Sequence, residues 1–492
     1  MTADIFSRPA RLGSLLTNQT ESCVAQLFRE KTVLVRLEAA FSIIPDARET
    51  FLFTVNQVLR FCSNVSICVE DGSAELIPIC HNLADQIHGE GQSVQVVQDI
   101  ASSAADAIVN VGARVLPRFP AATINSSGWV ARLATGNCKS EALYWRPEKP
   151  NPLGSLAAAC LGAGAAFMAI VGRPMTSLIE TSLFAHQSGA PGTLMTGPPL
   201  PDSPLPIDAF LVGCGAVTNG WAYAVKRLPL TGKLEAVDRQ SLREENLGSY
   251  VAAGRDGVGK KKAVLIRALL SPAIRVTERP DQWEFFKIRI SHGLQVPPLI
   301  VAGLDNVTTR HSVQRLWPET LIDMASGGLE SQVIVKHKSG DGQCLLNALN
   351  VPPDEIHWAD ALATETGVSA ELIAHEPTGD ITQAEVDAAP ESKKAALRNS
   401  IGKPRCGHIN WHTLELEEND PDFAPAVPFV SAFSGLVGAA ETVKLLMGKR
   451  HSHSLYFQRS FKSGHARALQ MKCDPTCECQ LAAVPSKETL AI

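Results

Sequence analysis

The sequence predicts an α/β protein in which a helix-covered parallel sheet occurs twice along the chain. Short apolar runs of strand length alternate with helix-length segments, an order typical of parallel strands joined by crossover helices. The same order of segments returns in the second half. In addition, the stretch NQVLRFCSNVSICVED of the first half stands where YAVKRLPLTGKLEAVD stands in the second. Such self-similarity indicates a duplicated domain.

The first half begins with a polar stretch, residues 1–20, that we expect to be irregular. The pattern of apolar residues then predicts strands at 32–38, 65–69, 93–97 and 106–111, and helices at 50–62, 76–88 and 151–170. The last of these helices consists largely of small residues.

The second half repeats this order, with strands expected at 210–212, 233–237, 299–302 and 332–335, and helices at 216–228 and 427–447. Between the halves, residues 186–207 contain six prolines and are expected to form a linker with little core of its own. An acidic, helical insertion at 350–404 interrupts the second half. Within it, Thr382 and Glu385 have the spacing of a helix capping box.

Composition narrows the class of protein. A chain of 492 residues suggests two or three domains. A net charge of −5 and a pI near 6.2 provide no basic surface for nucleic acid. The most apolar run, 156–171, is shorter than a membrane span, and no export signal is expected at the N-terminus. The twelve cysteines are scattered, many within apolar segments, which indicates reduced thiols and a cytoplasmic protein.

One stretch of the second half combines a strand, a glycine turn, a helix and a second strand that ends on an acid. The apolar run 210–212 leads into Gly213 and Gly215, and the second strand ends at Asp238. Glycines let the backbone approach a phosphate, a helix N-terminus offers N–H groups to an anion, and an acid can bind ribose hydroxyls. The stretch indicates nucleotide binding, but Thr218 stands where a third glycine is expected. A buried strand-turn-helix without a ligand has the same hydrophobic pattern.

The corresponding stretch of the first half has lost its glycines. Arg36, Leu37 and Glu38 stand where the second half has its glycine turn. We therefore expect the first copy not to bind a nucleotide.

Further polar residues follow Asp238 at spacings that carry a family resemblance. Asn246 lies eight residues after Asp238, Lys262 sixteen residues later, and Asp305 lies in a turn after the next strand. Taken singly, each acid is better explained as a solvated strand end, and the lysine as a residue on an exposed helix face. In this order they resemble the ATP site of the ThiF/MoeB/ubiquitin-activating enzyme superfamily, which adenylates the C-terminal glycine of ubiquitin-like proteins.

The resemblance implies two Rossmann-like adenylation-type domains in one chain, an inactive and an active one, which form an internal pseudo-dimer. It covers roughly residues 208–479. The implied division is an inactive domain at 1–185, a linker at 186–207, an active domain at 208–349 and 426–492, and an insertion carrying the catalytic cysteine at 350–425. The sequence VPFVSAFSGLVGAAE is most similar to activating enzymes of bacterial ubiquitin-like conjugation (BIL-type) operons linked to phage defence.

The resemblance also assigns roles at the ATP site. Gly213 and Gly215 form the phosphate turn, Asp238 binds the ribose, Asn246 and Lys262 bind the triphosphate, and Asp305 holds Mg²⁺. Positive charge and a hard cation are what an attack of a carboxylate on the α-phosphate needs, because both reactants are anions.

One basic residue of the family pattern is missing. The arginine that follows the asparagine by three positions is replaced by Ser249. Arg255, Lys260 or Lys261 could supply the lost charge.

Two further roles are implied by the resemblance. Arg8, in a Phe-Ser-Arg stretch, matches an arginine that the paired domain contributes to the active site in this family, with Arg11 as a substitute. An exposed arginine in a frayed terminus is the plainer interpretation.

Cys406 lies where the family has its crossover loop, and its basic neighbours favour a thiolate. It is the first candidate for the catalytic cysteine. Cys344 is the second. A metal ligand or an inert thiol is the alternative for Cys406.

The C-terminal region clusters Cys473, Cys477 and Cys479, which could bind Zn²⁺. A tetrahedral site needs a fourth ligand, for which His408, Cys344 and Cys406 are candidates.

The leading hypothesis is an enzyme that uses ATP and Mg²⁺ to adenylate a bacterial ubiquitin-like protein, binds it as a thioester and transfers it to a conjugating enzyme. The alternatives are adenylation for sulfur transfer or peptide modification, a nicotinamide-dependent oxidoreductase that uses Gly213, Gly215 and Asp238, and a non-catalytic scaffold. The sequence leaves open whether two chains associate.

Overall fold

A computed structural model describes residues 5–482 except 71–72, 101–103, 118–119, 137, 340–341, 352–357, 377–378, 404, 406–407, 409–426, 450–453, 463, 465 and 471. The described residues form two eight-stranded sheets with helices packed on them. The strand order along the first sheet is β3-β2-β1-β4-β5-β6-β7-β8, and along the second it is β11-β10-β9-β12-β13-β14-β15-β16.

The strands of the first sheet are β1 (Thr32–Leu37), β2 (Asn64–Val69), β3 (Gln95–Val96), β4 (Ala107–Val111), β5 (Ala121–Ser127), β6 (Val130–Thr135), β7 (Leu178–Ser182) and β8 (Gln187–Gly189). Those of the second are β9 (Leu205–Val212), β10 (Leu230–Val237), β11 (Ile274–Arg279), β12 (Leu299–Ala302), β13 (Thr320–Gly327), β14 (Glu330–His337), β15 (Leu455–Ser460) and β16 (Ala466–Leu469).

The two sheets have one topology, which confirms the predicted duplication. In each sheet the first five strands in spatial order are parallel and the last three are added antiparallel. The sheets are thus mixed, whereas the sequence pattern predicted parallel sheets. Strands β5 and β6 (AATINSS and VARLAT) were missed because their residues are small or polar, although all of them are buried.

The helices are α1 (Ser7–Thr17), α2 (Glu21–Glu30), α3 (Pro45–Leu59), α4 (Leu76–His88), α5 (Pro152–Ile170), α6 (Ala216–Val225), α7 (Lys262–Leu270), α8 (Trp283–Ser291), α9 (Val307–Gln314), α10 (Leu345–Ala348), α11 (Trp358–Thr366), α12 (Ala370–His375), α13 (Gln383–Ala388), α14 (Glu391–Arg398), α15 (Pro428–Leu446) and α16 (Glu478–Ala482). Helix α1 lies in the stretch that was expected to be irregular. That expectation was wrong because Pro9, Ala10 and Leu12 are buried despite their polar surroundings.

Helices α3 and α5 of the first half and α6 and α15 of the second form a layer that joins the two sheets. Glycines let these helices approach closely: a Cβ at Gly435 of α15 would lie 2.3 Å from the backbone nitrogen of Trp221 in α6. A Cβ at Gly164 of α5 would lie 2.9 Å from Phe461. Because of this packing, one hydrophobic core extends through both halves.

Two of these helices, α5 and α15, are long and apolar enough to cross a membrane. Within the described residues, 94% of the apolar window of α5 and 89% of that of α15 are buried inside the protein. Their apolar character is therefore accounted for by the shared core.

The predicted linker and insertion both contain ordered structure. Residues 187–189 pair with β7, and His186 is buried with its Nε2 atom 2.6 Å from Oε1 of Glu441 on α15. The linker region is therefore partly built into the core. Helices α11 to α14 form a small cluster in the insertion, and the capping box of Thr382 and Glu385 is confirmed.

Asp46 gives the fold a pH dependence. Its carboxylate lies at the start of α3 and accepts a hydrogen bond from the backbone nitrogen of Asn151 at 3.1 Å, at the start of α5. Burial raises the pKa of Asp46 to about 7. Because the folded state holds a proton that the unfolded state has lost, stability falls as the pH rises from about 4 to about 7.

We predict that Asp46→Asn removes this loss. The wild-type protein should lose up to about 4 kcal/mol of stability between pH 4 and pH 8 relative to the variant, because the neutral amide does not titrate. Thermal unfolding midpoints of both proteins measured across this range test the prediction. Parallel pH profiles would contradict it.

Candidate nucleotide site

The glycine turn after β9 needs glycine for two reasons. Gly213 has φ +78°, in the left-handed region that favours glycine, and a Cβ there would lie 2.7 Å from the carbonyl oxygen of Gly303. Its backbone nitrogen donates to the carbonyl of Val237, the last residue of β10. The turn is thereby held between the ends of the two neighbouring strands.

Asp238 follows β10 and binds this turn directly. Its Oδ2 accepts a hydrogen bond from the backbone nitrogen of Cys214 at 2.6 Å, and its Oδ1 accepts one from Gln240 at 2.7 Å. The first half repeats the first contact, since Oε2 of Glu70 accepts from Ala39 at 2.9 Å. An acid at this strand tip therefore fixes the turn in both copies.

Helix α6 begins immediately after the turn. Its N-cap is Gly215, and no side chain among the described residues caps the helix. The N–H groups of the first turn are therefore suited to an anion. Thr218, which replaces the expected third glycine, donates from Oγ1 to the Gly215 carbonyl, and its methyl group lies 2.6 Å from where a Cβ of Gly303 would be. A glycine at 303 provides the space that Thr218 fills.

Asn246 lies on a short 3₁₀ helix, Glu244–Gly248, and is buried. Its Oδ1 accepts a hydrogen bond from the backbone nitrogen of Arg243 at 3.0 Å, so the side chain shapes this helix. Ser249, at the position of the family arginine, is completely buried and donates to the Asn246 carbonyl.

Lys262 is the first residue of α7 and is buried. Its ammonium group contacts Oε1 of Gln240 and lies 5.4 Å from the centre of the Tyr250 ring. Through Gln240, Lys262 is linked to Asp238. The structure thus brings the lysine and the strand-tip acid together.

Tyr250 belongs to this site and was missed by the sequence analysis. Its hydroxyl lies 4.0 Å from where a Cβ of Gly215 would be. Burial raises the pKa of Tyr250, and the nearby charges of Lys262 and Arg8 oppose that effect. The sequence signal was weak, because Tyr250 is adjacent to the aberrant Ser249 and follows no recognised spacing.

Arg8 lies on α1, which packs against the 3₁₀ helix of the second half. A Cβ at Gly248 would be 2.2 Å from the carbonyl oxygen of Ile5. Arg8 is half-buried, and its charge acts on Tyr250. The interpretation of a frayed terminus is therefore wrong for residues 7–17. Arg11, the substitute, lies one turn later on the same helix.

Asp305 is exposed in the loop after β12, next to the glycine turn through Gly303. Strands β9, β10 and β12 are adjacent and parallel, so Asp238 and Asp305 lie at the same edge of the sheet. Asn306 caps α9, and the buried Arg310 forms an ion pair with Asp323 on β13. Asp305 is the exposed acid of this loop, and a carboxylate oxygen suits Mg²⁺.

The three residues proposed to replace the missing arginine have different environments. Arg255 pairs with Glu244 at 2.8 Å, and Lys260 lies 3.9 Å from Asp256. Lys261 donates to the Arg239 carbonyl at 2.8 Å. Burial lowers the pKa of Lys261, and the negative charge of Asp238 raises it. Of the three residues, Lys261 is therefore the one that interacts electrostatically with Asp238.

In the first half, Glu38 fills the space of the glycine turn. Its carboxylate accepts hydrogen bonds from Nδ2 of Asn110 at 2.6 Å and from the backbone nitrogen of Arg114 at 3.1 Å. A Cβ at Gly112 would lie 2.1 Å from the Glu38 carboxyl group. This carboxylate binds the residues at and after the end of β4. That the first copy binds no nucleotide stays a prediction.

Four cysteines converge away from the nucleotide site. The Sγ atoms of Cys344 and Cys477 are 3.5 Å apart, and those of Cys473 and Cys479 are 2.9 Å apart. The thiols of Cys344, Cys477 and Cys479 lie within 4.8 Å of one another. Two thiolates on one tetrahedral zinc ion are about 3.8 Å apart, so the donor set fits Zn²⁺. We call these four residues the cysteine cluster.

The cluster bears on the two roles considered for Cys344. Cys344 is completely buried, and burial together with Cys477 raises its pKa to about 11. A completely buried position among the other thiols favours the role of metal ligand over that of nucleophile. Cys406, the first candidate for the catalytic cysteine, lies outside the described residues. Its neighbour Arg405 pairs with Glu385 of α13 at 2.8 Å.

The sequence and structure were compared with protein families, known sequences and solved structures. No family model matches the sequence. The chain is 26% identical over 351 residues to the uncharacterized protein y4jF of Sinorhizobium fredii (strain NBRC 101917 / NGR234), a match that covers 65% of this chain and 64% of that protein. The chain thus spans less than two thirds of this relative's length. A crystal structure of E. coli MccB with selenomethionine MccA matches with a TM-score of 0.32 and 17% identity, over 55% of this chain and 66% of that one.

We predict that the purified protein contains about one zinc ion per chain and that Cys344→Ser removes most of it, because a tetrahedral site loses a quarter of its ligands. Metal analysis by mass spectrometry measures the content. Cys23→Ser, which changes an exposed cysteine, is the matched control. Zinc content that is equal in both variants would contradict the assignment.

Proposed function

We propose that this chain is an ATP-dependent adenylating enzyme that activates the C-terminal glycine of a bacterial ubiquitin-like protein. The activated protein would pass to a cysteine thiol as a thioester and then to a conjugating enzyme, in the cytoplasm and in defence against phage. The proposal rests on the residues of the second half and on their resemblance to the activating-enzyme superfamily.

One observation carries the proposal. Asp238, Lys262 and the loop of Asp305 meet at the carboxyl edge of the second sheet, beside the uncapped start of α6. Residues far apart in sequence thus bring a basic group, an uncapped helix start and an exposed acid to one edge of the sheet. Ligands of parallel sheets bind at this edge, because the strands end there.

The chemistry is an attack by a substrate carboxylate on the α-phosphorus of ATP. A bond forms between a carboxylate oxygen and the α-phosphorus, and the bond to the bridging oxygen breaks, which yields an acyl adenylate and pyrophosphate. Both reactants are anions, so the N–H groups of α6, Lys262 and Arg8 would stabilise the charge of the transition state. Asp305 would hold Mg²⁺, which neutralises phosphate charge when bound.

Cys214 lies in the glycine turn but is unsuited to the second step. It is buried, and burial and the charge of Asp238 raise its pKa well above the ordinary value, so it stays a thiol. This supports a nucleophile outside the turn, and Cys406 remains the proposed thioester residue.

We predict that the protein catalyses ATP–pyrophosphate exchange when supplied with a β-grasp protein ending in glycine that is encoded beside it. Lys262→Ala should reduce the exchange rate by about a hundredfold, because the developing charge loses a fixed cation. Lys233→Ala is the matched control, since this lysine is an exposed residue of β10 that pairs with Asp208.

Exchange without any dependence on Lys262, or absence of exchange with every such neighbour, would overturn the proposal. Two outcomes identify the alternatives. A thiocarboxylate or a modified peptide as product would indicate sulfur transfer or peptide modification. Stabilisation by NAD(H) but not by MgATP in thermal unfolding would indicate an oxidoreductase.

We also predict a thioester adduct between the chain and the ubiquitin-like protein. Non-reducing electrophoresis after incubation with MgATP should show a band that thiols remove and that is absent in Cys406→Ala, while pyrophosphate exchange persists. An adduct that forms equally well in this variant would place the nucleophile elsewhere.

A further inference from the structure

The first half contributes a buried cation to the segment that carries Asn246 and Tyr250. Arg60 follows the last residue of α3 and is 2% exposed. Its Nη1 donates to the carbonyl of Leu247 at 2.6 Å, and its Nη2 donates to those of Val251 at 3.2 Å and Ala253 at 3.0 Å. One guanidinium thus binds three carbonyls of residues 246–253, which we call the site segment.

Asn56, one helical turn earlier, completes this arrangement. Its Oδ1 accepts from Nε of Arg60 at 2.9 Å, and its Nδ2 donates to the Val251 carbonyl at 3.1 Å. A buried guanidinium ordinarily pairs with a carboxylate. Arg60 instead binds an amide and three backbone carbonyls, of which that of Leu247 belongs to the short 3₁₀ helix. Burial lowers the pKa of Arg60 to about 9.

The site segment is held from other directions as well. Oδ1 of Asn219 on α6 accepts from the backbone nitrogen of Ala252 at 2.8 Å, and Gly248 packs against the carbonyl of Ile5. Two of the three supports therefore come from the first half. They act on the segment whose Tyr250 lies near Lys262 and the glycine turn.

We propose that Arg60 is a positioning residue for the nucleotide site. The first half, whose own glycine turn is filled by Glu38, then sets the affinity of the second half for MgATP by fixing the shape of the site segment. This inference rests on the proposed function. It gives the first half, which is predicted to bind no nucleotide, a role in the site proposed for the second half.

The test uses the full chain with Arg60→Met, which removes the donors and keeps the length of the side chain, and Arg60→Lys, which keeps the charge. The matched control is Arg227→Met. Arg227 also links the two halves, but through Glu49 of α3, and its guanidinium lies over the face of Tyr223 in its own half. MgATP affinity is measured by calorimetry, and amide hydrogen exchange of residues 246–253 by mass spectrometry.

Arg60→Met should weaken MgATP binding about tenfold or more, since several charge-assisted hydrogen bonds are lost, and should speed exchange in the site segment. Arg60→Lys should lie between it and the wild type, and Arg227→Met should stay within about twofold of the wild type. If Arg60→Met does not fold, Asn56→Ala and Arg60→Lys replace it, with a several-fold weakening expected.

Wild-type affinity in a folded Arg60→Met protein, or an equal loss in Arg227→Met, would overturn the inference. A wild-type protein that binds no MgATP would instead overturn the proposed function. In that case, faster exchange confined to residues 246–253 in Arg60→Met would still show that Arg60 holds the segment.

Discussion

The close packing of small-residue helices between the two sheets is the interaction on which the rest of the structure depends. Gly435 brings α15 against the backbone of α6, and Gly164 of α5 accepts the ring of Phe461. Because these contacts involve backbone and rings at short distance, the halves share one core. A closely packed interior deforms little, so the position of one half fixes the position of the other. The shared core is what places Arg8 and Arg60 of the first half beside residues of the second.

Both halves contain a hydrogen bond between the acid at a strand end and the turn after the neighbouring strand, although the two turns differ in sequence. Glu70 in the first half and Asp238 in the second each accept a backbone N–H two residues beyond the neighbouring strand. This bond stabilises the turn whether or not a ligand is present. What differs is the residue that begins the turn. It is Gly213 in the second half, and in the first half it is Glu38, whose carboxylate binds the residues at and after the end of β4.

Several polar residues of the site in the second half are buried. Lys262 and Tyr250 are both buried, and Ser249 is completely enclosed. A long arginine side chain at 249 would have to be accommodated within this core. Basic groups from other elements lie nearby, since the charges of Lys262 on α7 and Arg8 on α1 both act on Tyr250. At the far end of the sheet, the cysteine cluster joins the loop after β14 to the C-terminal residues, which is the role that a structural metal has in small or irregular regions.

The helices and strands with strong apolar periodicity could be predicted from the sequence, because that pattern reports directly on burial. Helix α4 and strand β12 have the predicted bounds. Strands β5 and β6 could not be predicted, because their small and polar residues are buried by neighbours that the local sequence does not specify. The spacing of Asp238, Asn246 and Lys262 likewise identified the segments of the site but not the contacts between them.

The sequence by itself determined the duplication, the glycine turn and the identity of the polar residues around it, because these depend on local patterns and on composition. Only the tertiary structure decided which residues meet. It brought Cys344 to the C-terminal thiols, placed Tyr250 between Lys262 and the glycine turn, and set Arg60 against the site segment. These contacts join residues more than a hundred positions apart, or depend on how a loop is folded, and such distances are set by the packing of the whole core.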